Sequence, residues 1–187
     1  MAITIQNAQF LLNKYLKDKN NLIHSRESEI VLRALAQEFK ENEEIWGIAG
    51  LLHDLDWELT SENWPQHGVK TLELLRSEGY EVPEEMAHAI TAHNEQHTGV
   101  KRVNKLDYAL AAGESVTGLI YAYALMRPEK LNGMAASSLN KKFKDKSFAA
   151  NVSREFIADI EKIGLEKSKF FEITIRAMQS IQSEIGL

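Results

Sequence analysis

Residues 44–57, Glu-Ile-Trp-Gly-Ile-Ala-Gly-Leu-Leu-His-Asp-Leu-Asp-Trp, constrain the fold more than any other stretch. The run is nearly all apolar from Ile45 to Leu52 and then delivers His53 and Asp54 side by side. A helix with Ile45, Trp46, Ile48, Ala49, Leu51 and Leu52 around its circumference must be buried on most faces. A carboxylate at the end of such a helix costs roughly several kcal/mol unless a cation compensates it. No Lys or Arg lies between Lys40 and Lys70, so no local side chain neutralises Asp54. Imidazole beside carboxylate is a good ligand pair for a divalent metal. A pair exposed in a turn is the alternative, and the rest of the chain weighs against it.

With 187 residues the chain fits one domain, and a 44% hydrophobic content supplies a sizeable core. Acidic residues outnumber basic ones, 27 to 22, for a net charge of −5. That balance argues against general nucleic-acid binding, which needs a basic face. A small anionic substrate stays open, because a metal supplies local positive charge. The absence of cysteine removes disulfides, thiolate zinc sites and cysteine nucleophiles. The N-terminal residues lack the pattern of a signal peptide, and no apolar run approaches the roughly 20 residues that span a bilayer. The expected compartment is the cytoplasm.

Helical spacing dominates the whole chain. Thr4 caps a first helix reaching about Asp18, and Asn20-Asn21 breaks it. A second helix runs from about Leu22 to Glu41, with His24 on the same apolar stripe as Val31. A lone His there is more often a satisfied core residue than a ligand. The third helix ends near Asp56. Ser61 caps a fourth, with Pro65 in its first turn and His67 near its start. Pro83-Glu84-Glu85 opens a fifth, which extends to about Gln96 and carries His88 and His93, with His97 at its end. His88 and His93 lie about 140° apart on a helix and cannot readily share an ion. A long helix, Lys105 to Met126, contains one charge in its interior, Glu114, among small residues. A short basic helix over 135–146, capped by Ser137 or Ser138, precedes helices over about 148–163 and 167–185. No strand pattern or repeat interrupts this. The expected architecture is all-α, one domain over residues 1–187 with eight or nine helices, its metal-site core at about 20–126 and its C-terminal helices, 135–186, packed on that core.

His24, His53, Asp54 and Glu114 together place two imidazoles and two carboxylates in buried settings without a nearby Lys or Arg. One divalent cation satisfies all four. His67 and His93 could complete a second position, with Asp54 bridging the two. Asp107 is a rival acid, seven residues before Glu114. Two turns separate them by roughly 10 Å, so one ion cannot take both. Asp107 sits near the helix start, where the dipole favours it, and Glu114 is the expected ligand.

The order of these residues resembles that of the HD-domain metal-dependent phosphohydrolase superfamily, whose pattern is His, then His-Asp, then a distal Asp on separate helices. The matching stretches are Leu-Ile-His24-Ser, Gly-Leu-Leu-His53-Asp54-Leu-Asp, and Ala-Ala-Gly-Glu114-Ser-Val-Thr-Gly-Leu-Ile. Gln66-His67-Gly68 and Ala92-His93-Asn94 look like the additional histidines of the subset with a two-metal centre. The likeness extends over about residues 20–185, and Glu114 departs from the family's Asp.

The resemblance implies hydrolysis of a phosphomonoester or phosphodiester, nucleotides included, by metal-activated water. It implies one or two divalent ions per chain, Mn, Fe, Ni, Co, Mg or Zn. The expected metal ligands are His24, His53, Asp54, His67, His93 and Glu114. Asp54 and His67 carry catalytic roles, and Asp56 and Glu58 are candidate bases for the water. If His67 and His93 are not ligands, they orient phosphate or protonate the leaving oxygen. The Lys141–Lys146 run is a candidate phosphate contact, although such runs are more often solvated helix faces. The expected partner is a small phosphorylated substrate, with no general nucleic-acid binding and no membrane; self-association into a homo-oligomer stays open. Two alternatives remain: a di-iron oxygenase on the same fold, and a catalytically degenerate ligand-binding or signalling module.

Overall fold

The computed structural model describes residues 1–187 and is helical throughout, apart from an isolated parallel bridge between Ala2 and Glu81. Thr4 caps α1 (Ile5–Tyr15) by accepting from the Asn7 amide. Asp18 caps α2 (Lys19–Phe39) by accepting from the amides of Asn20 and Asn21. The break therefore falls before the asparagine pair, which occupies the first turn of α2 instead of interrupting the chain. Asn42 caps α3 (Glu43–Leu52) in the same way, accepting from Glu44 and Ile45. Every residue of α3 from Trp46 onward is buried, as its composition requires.

The first helix stops at Tyr15 and the last at Gln179, short of the expected Asp18 and Ile185, and two helices of the middle region also end early. The chain turns at residues 53–56 before α4 (Trp57–Thr60), and a short 3-10 turn, Trp64–Gln66, precedes α5 (Val69–Ser77). Likewise α6 (Glu84–Ala92) stops at His93, and a separate turn, α7 (Glu95–Thr98), follows. These two single-turn helices raise the total to eleven. Ser61 does not cap the helix carrying Val69, which begins after Gly68.

The long helix α8 (Lys105–Leu125) is central, packing on α2, α6 and the C-terminal elements. Asn104 and Asp107 form a capping box at its start. Then come α9 (Ala136–Lys144), α10 (Arg154–Ala158) with a 3-10 continuation to Ile163, and α11 (Lys167–Gln179). No serine caps α9, because Ser138 donates back to the Ala135 carbonyl. Helix is absent over 148–153, where Arg154 gathers the loop's carbonyls, and Ser153 caps α10. One apolar cluster runs from Ile3 to Ile185, so the C-terminal helices share the core of the rest. No helix is long and apolar enough to cross a membrane.

One buried acid in α2 has no part in the site. Glu27 is 3% exposed, and its Oε1 has no hydrogen-bond partner. Burial alone pushes its carboxyl up to about 8. The folded chain thus keeps a proton that the unfolded chain releases above its ordinary value of 4.5. Its contribution is fully present below pH 4.5 and is lost as pH rises toward 8, by up to about 1.4 kcal/mol per pH unit. Urea denaturation of wild type and Glu27→Gln should therefore show the variant gaining relative stability between pH 5 and pH 8. Parallel curves would show that Glu27 is ionised in the folded chain.

Candidate metal centre

The site forms where α2, the end of α3, the end of α6 and the middle of α8 converge. Close packing of α2 on α3 sets the first contact: a Cβ on Gly50 would lie 2.6 Å from the Ser28 carbonyl oxygen. Three residues later His53 leaves the helix, with Asp54 behind it, facing His24 from α2. Gly68 sets the second contact. Its φ of +85° suits glycine, and a Cβ there would lie 2.6 Å from the Ile90 carbonyl. That approach brings His67 against His93.

The two oxygens of Asp54 face different histidines. Oδ2 lies 3.4 Å from His53 Nε2 and 3.8 Å from His24 Nε2. Oδ1 lies 3.2 Å from His67 Nε2 and 3.5 Å from His93 Nε2. Glu114 joins the first pair, with Oε2 3.9 Å from His24 Nε2, while Ser115 donates to its Oε1. Donor atoms of His24, His53 and Glu114 lie within 4.8 Å of one another, as do those of Asp54, His67 and His93. Ligands bonded to one ion at about 2.1 Å have comparable mutual spacings, roughly 3–4 Å.

Each imidazole is held from behind. His53 Nδ1 donates to the Gly50 carbonyl at 2.8 Å, and His93 Nδ1 donates to the Ile90 carbonyl. His67 Nδ1 donates to Asp56 Oδ1 at 2.8 Å. The Thr117 hydroxyl proton goes to the Glu114 carbonyl, so Thr117 accepts from His24 Nδ1 at 3.2 Å. These partners assign the tautomers: all four rings aim Nε2 at the centre, the arrangement of metal-binding histidines. His67 Nε2 and His93 Nε2 face each other at 3.0 Å, where two lone pairs need a proton or a cation between them. With no thiolate present, this N/O donor set fits one or two first-row divalent ions.

The charges agree. Burial, reinforced by the His53 charge, pulls His24 down to about 4, and burial lowers His93 too, so both rings are neutral near pH 7 and keep a lone pair for a cation. For His67, burial is outweighed by hydrogen bonds and charge from Asp54 and Asp56, raising it to about 9. Burial opposes ionisation of Asp54, but the surrounding imidazoles hold its carboxyl well below the usual range. Burial lifts Glu114 to about 7.

All six expected ligand residues lie together, whereas the two candidate bases do not serve the water. Asp56 is fully buried, and its Oδ2 accepts from the Gly68 and Thr71 amides while Oδ1 holds His67. Asp56 is absent from the cavity lining, and its part is to hold the His67 ring. Glu58 lies outside the cavity, where it accepts from the Lys17 and Asp18 amides, each at 2.7 Å, and pins the turn between α1 and α2. The basic run is also elsewhere: Lys142 lies over the Tyr123 and Phe148 rings, and no lysine of 141–146 lines the cavity. Gly113 marks the close approach of α2 to α8, since a Cβ there would lie 2.7 Å from Leu32 Cδ2. Asp107 caps α8 and accepts from the Val103 and Asn104 amides, and His88 sits beside it, away from the centre.

A cavity of about 560 Å3 opens onto the centre, a volume suited to a small molecule. Sequence periodicity gives no warning of several of its walls. Trp57 and Trp64 come from the turns after α3, and Asn151, Ser153, Glu155 and Phe156 from the α10 region. Asn94 ties the Trp64 segment down, donating to the carbonyls of Trp64 and His67. Its only signal in the sequence is its place after His93.

Residues 21–145, about two-thirds of the chain, match the family model of the HD domain. The chain belongs to the HD-domain family, which binds divalent metals and includes metal-dependent phosphohydrolases. No curated protein and no solved structure matches it.

The Asp56 clamp gives a direct expectation. Asp56→Asn removes the charge that holds His67 and should weaken metal binding by roughly 10–100-fold, as loss of an outer partner does. Calorimetric metal titration checks this; unchanged affinity would mean that His67 needs no orienting.

Proposed function

We propose that the chain is a metal-dependent phosphohydrolase that cleaves a phosphomonoester or phosphodiester. The observation that carries this reading is the division of the Asp54 oxygens between two histidine pairs, which suits a carboxylate bridging two cations. His24, His53 and Glu114 would hold one ion, His67 and His93 the other, and Asp54 both. Bound there, the ions supply Lewis-acid stabilisation of phosphoryl charge and a water acidic enough to attack near neutral pH. The chain's own part is positioning. Backbone carbonyls, Asp56 and Thr117 fix the four imidazoles before substrate arrives, so little reorganisation accompanies the reaction. His67 and His93 commit Nδ1 to the protein, so neither can ligate and also pass a proton to the leaving oxygen. Asn21, Asn151 and Ser153 offer hydrogen bonds to substrate, and Trp57 and Trp64 shield one side of the cavity from water.

Phosphate release from p-nitrophenyl phosphate and a panel of mono- and diesters tests the proposal. Release should depend on added Mn, Fe, Co, Ni, Mg or Zn and vanish with chelator. Iron-loaded protein that consumes oxygen while releasing no phosphate from any ester would replace it with the oxygenase reading.

A further inference from the structure

The cavity wall opposes the usual treatment of a phosphate ester. Its lining carries three carboxylates, Asp54, Glu114 and Glu155, and no Lys or Arg. Two arginines lie close by, and both are committed elsewhere. Arg154, next to Glu155 in sequence, donates to the carbonyls of Ala149 and Val152 at 2.6 and 2.9 Å and also to Phe148. Arg102 lies behind Phe156, its guanidinium 4.1 Å from the ring centroid, and donates to Glu95. Glu155 itself has no ion-pair or side-chain hydrogen-bond partner. Glu155, exposed where it lines the cavity next to Phe156, is thus a free carboxylate, while the neighbouring arginines are committed elsewhere.

Resting on the phosphohydrolase reading, we propose that the substrate is a phosphomonoester with a single phosphate whose alcohol carries an ammonium group, bound by Glu155 on the wall of this cavity. Charge accounting supports this choice. Two divalent ions against three carboxylates leave about one net positive charge, which a phosphate dianion turns to about one negative. An ammonium brings the occupied cavity to neutrality, whereas further phosphates add charge that no side chain there offsets. His97 stacks on one face of Trp64, with centroids 5.7 Å apart, so Glu155 carries the recognition of the cation and the tryptophans wall the cavity around it. Trp57 meets Trp64 edge to face, with centroids 5.3 Å apart.

Three esters of similar size test this on metal-loaded protein: 2-aminoethyl, propyl and 2-carboxyethyl phosphate. Phosphate release and calorimetric binding are both measured. We expect kcat/KM and affinity to fall in that order, by about tenfold per step. Glu155→Gln should collapse the ratio of aminoethyl to propyl ester toward one, and Glu155→Lys should favour the carboxyethyl ester. Equal use of the three esters by wild type, or a cation preference that survives Glu155→Gln, overturns the proposal, leaving Glu155 a solvated acid at a helix start. Release from p-nitrophenyl phosphate or another ester but from none of these three overturns this proposal alone, whereas release from no ester at all, with metal bound, removes the phosphohydrolase reading and this proposal with it.

Discussion

Asp54→Asn should lower bound metal from about two ions per chain to less than one and reduce phosphate release by more than the roughly 10–100-fold that loss of an outer-shell partner costs. The reason lies in its geometry. Each oxygen serves two Nε2 atoms at 3.2–3.8 Å, so one substitution removes an anionic ligand from both positions. The amide that replaces it is neutral, and its nitrogen is a donor facing lone pairs or cations. Four imidazoles and the single carboxylate of Glu114 then face four positive charges, and the His67–His93 position is left without an anion. A thermal melt beside the metal analysis separates this loss from unfolding. A folded variant that retains two ions would show that Asp54 does not bridge.

The two positions should also come apart. His67→Ala and His93→Ala each remove a ligand from one trio, and His24→Ala and His53→Ala remove one from the other. Each should lower stoichiometry from about two to about one, and the surviving ion should differ between the two sets. Glu114→Gln should behave as the His24 set does, because Glu114 Oε2 faces His24 and neither histidine of the other trio. His88→Ala and His97→Ala serve as controls: His88 lies beside Asp107, and His97 stacks on Trp64. Loss of metal in a control, or unchanged stoichiometry in both histidine sets, contradicts the division.

Four of the six clustered residues were legible in the sequence because each is an ionisable group where apolar periodicity leaves no partner, while His67 and His93 carried no such signal and were marked by the family resemblance. His24 on a stripe, His53-Asp54 after a buried run and Glu114 among alanines all share that signature. Asp56 does not. A carboxylate in a turn looks the same whether it faces water or two amides and an imidazole, so its clamp on His67 became visible only in three dimensions. Glu58 was misjudged for the same reason, since its partners are backbone amides forty residues earlier. The wall at 151–156 was hidden by an expected helix over 148–163. Periodicity there is real, but Arg154 organises an irregular loop by gathering carbonyls, an arrangement without sequence spacing. Asn20-Asn21 looked like a breaker because the strong cap, Asp18, stands two residues before it.

Metal analysis of the wild-type protein, purified without chelator and then titrated with Mn and Fe by calorimetry, tests the central claim most directly. About two divalent ions per chain, both lost together on Asp54→Asn, is the predicted result. Saturation at a single ion, or no binding at all, would contradict a carboxylate-bridged pair built from His24, His53, Asp54, His67, His93 and Glu114.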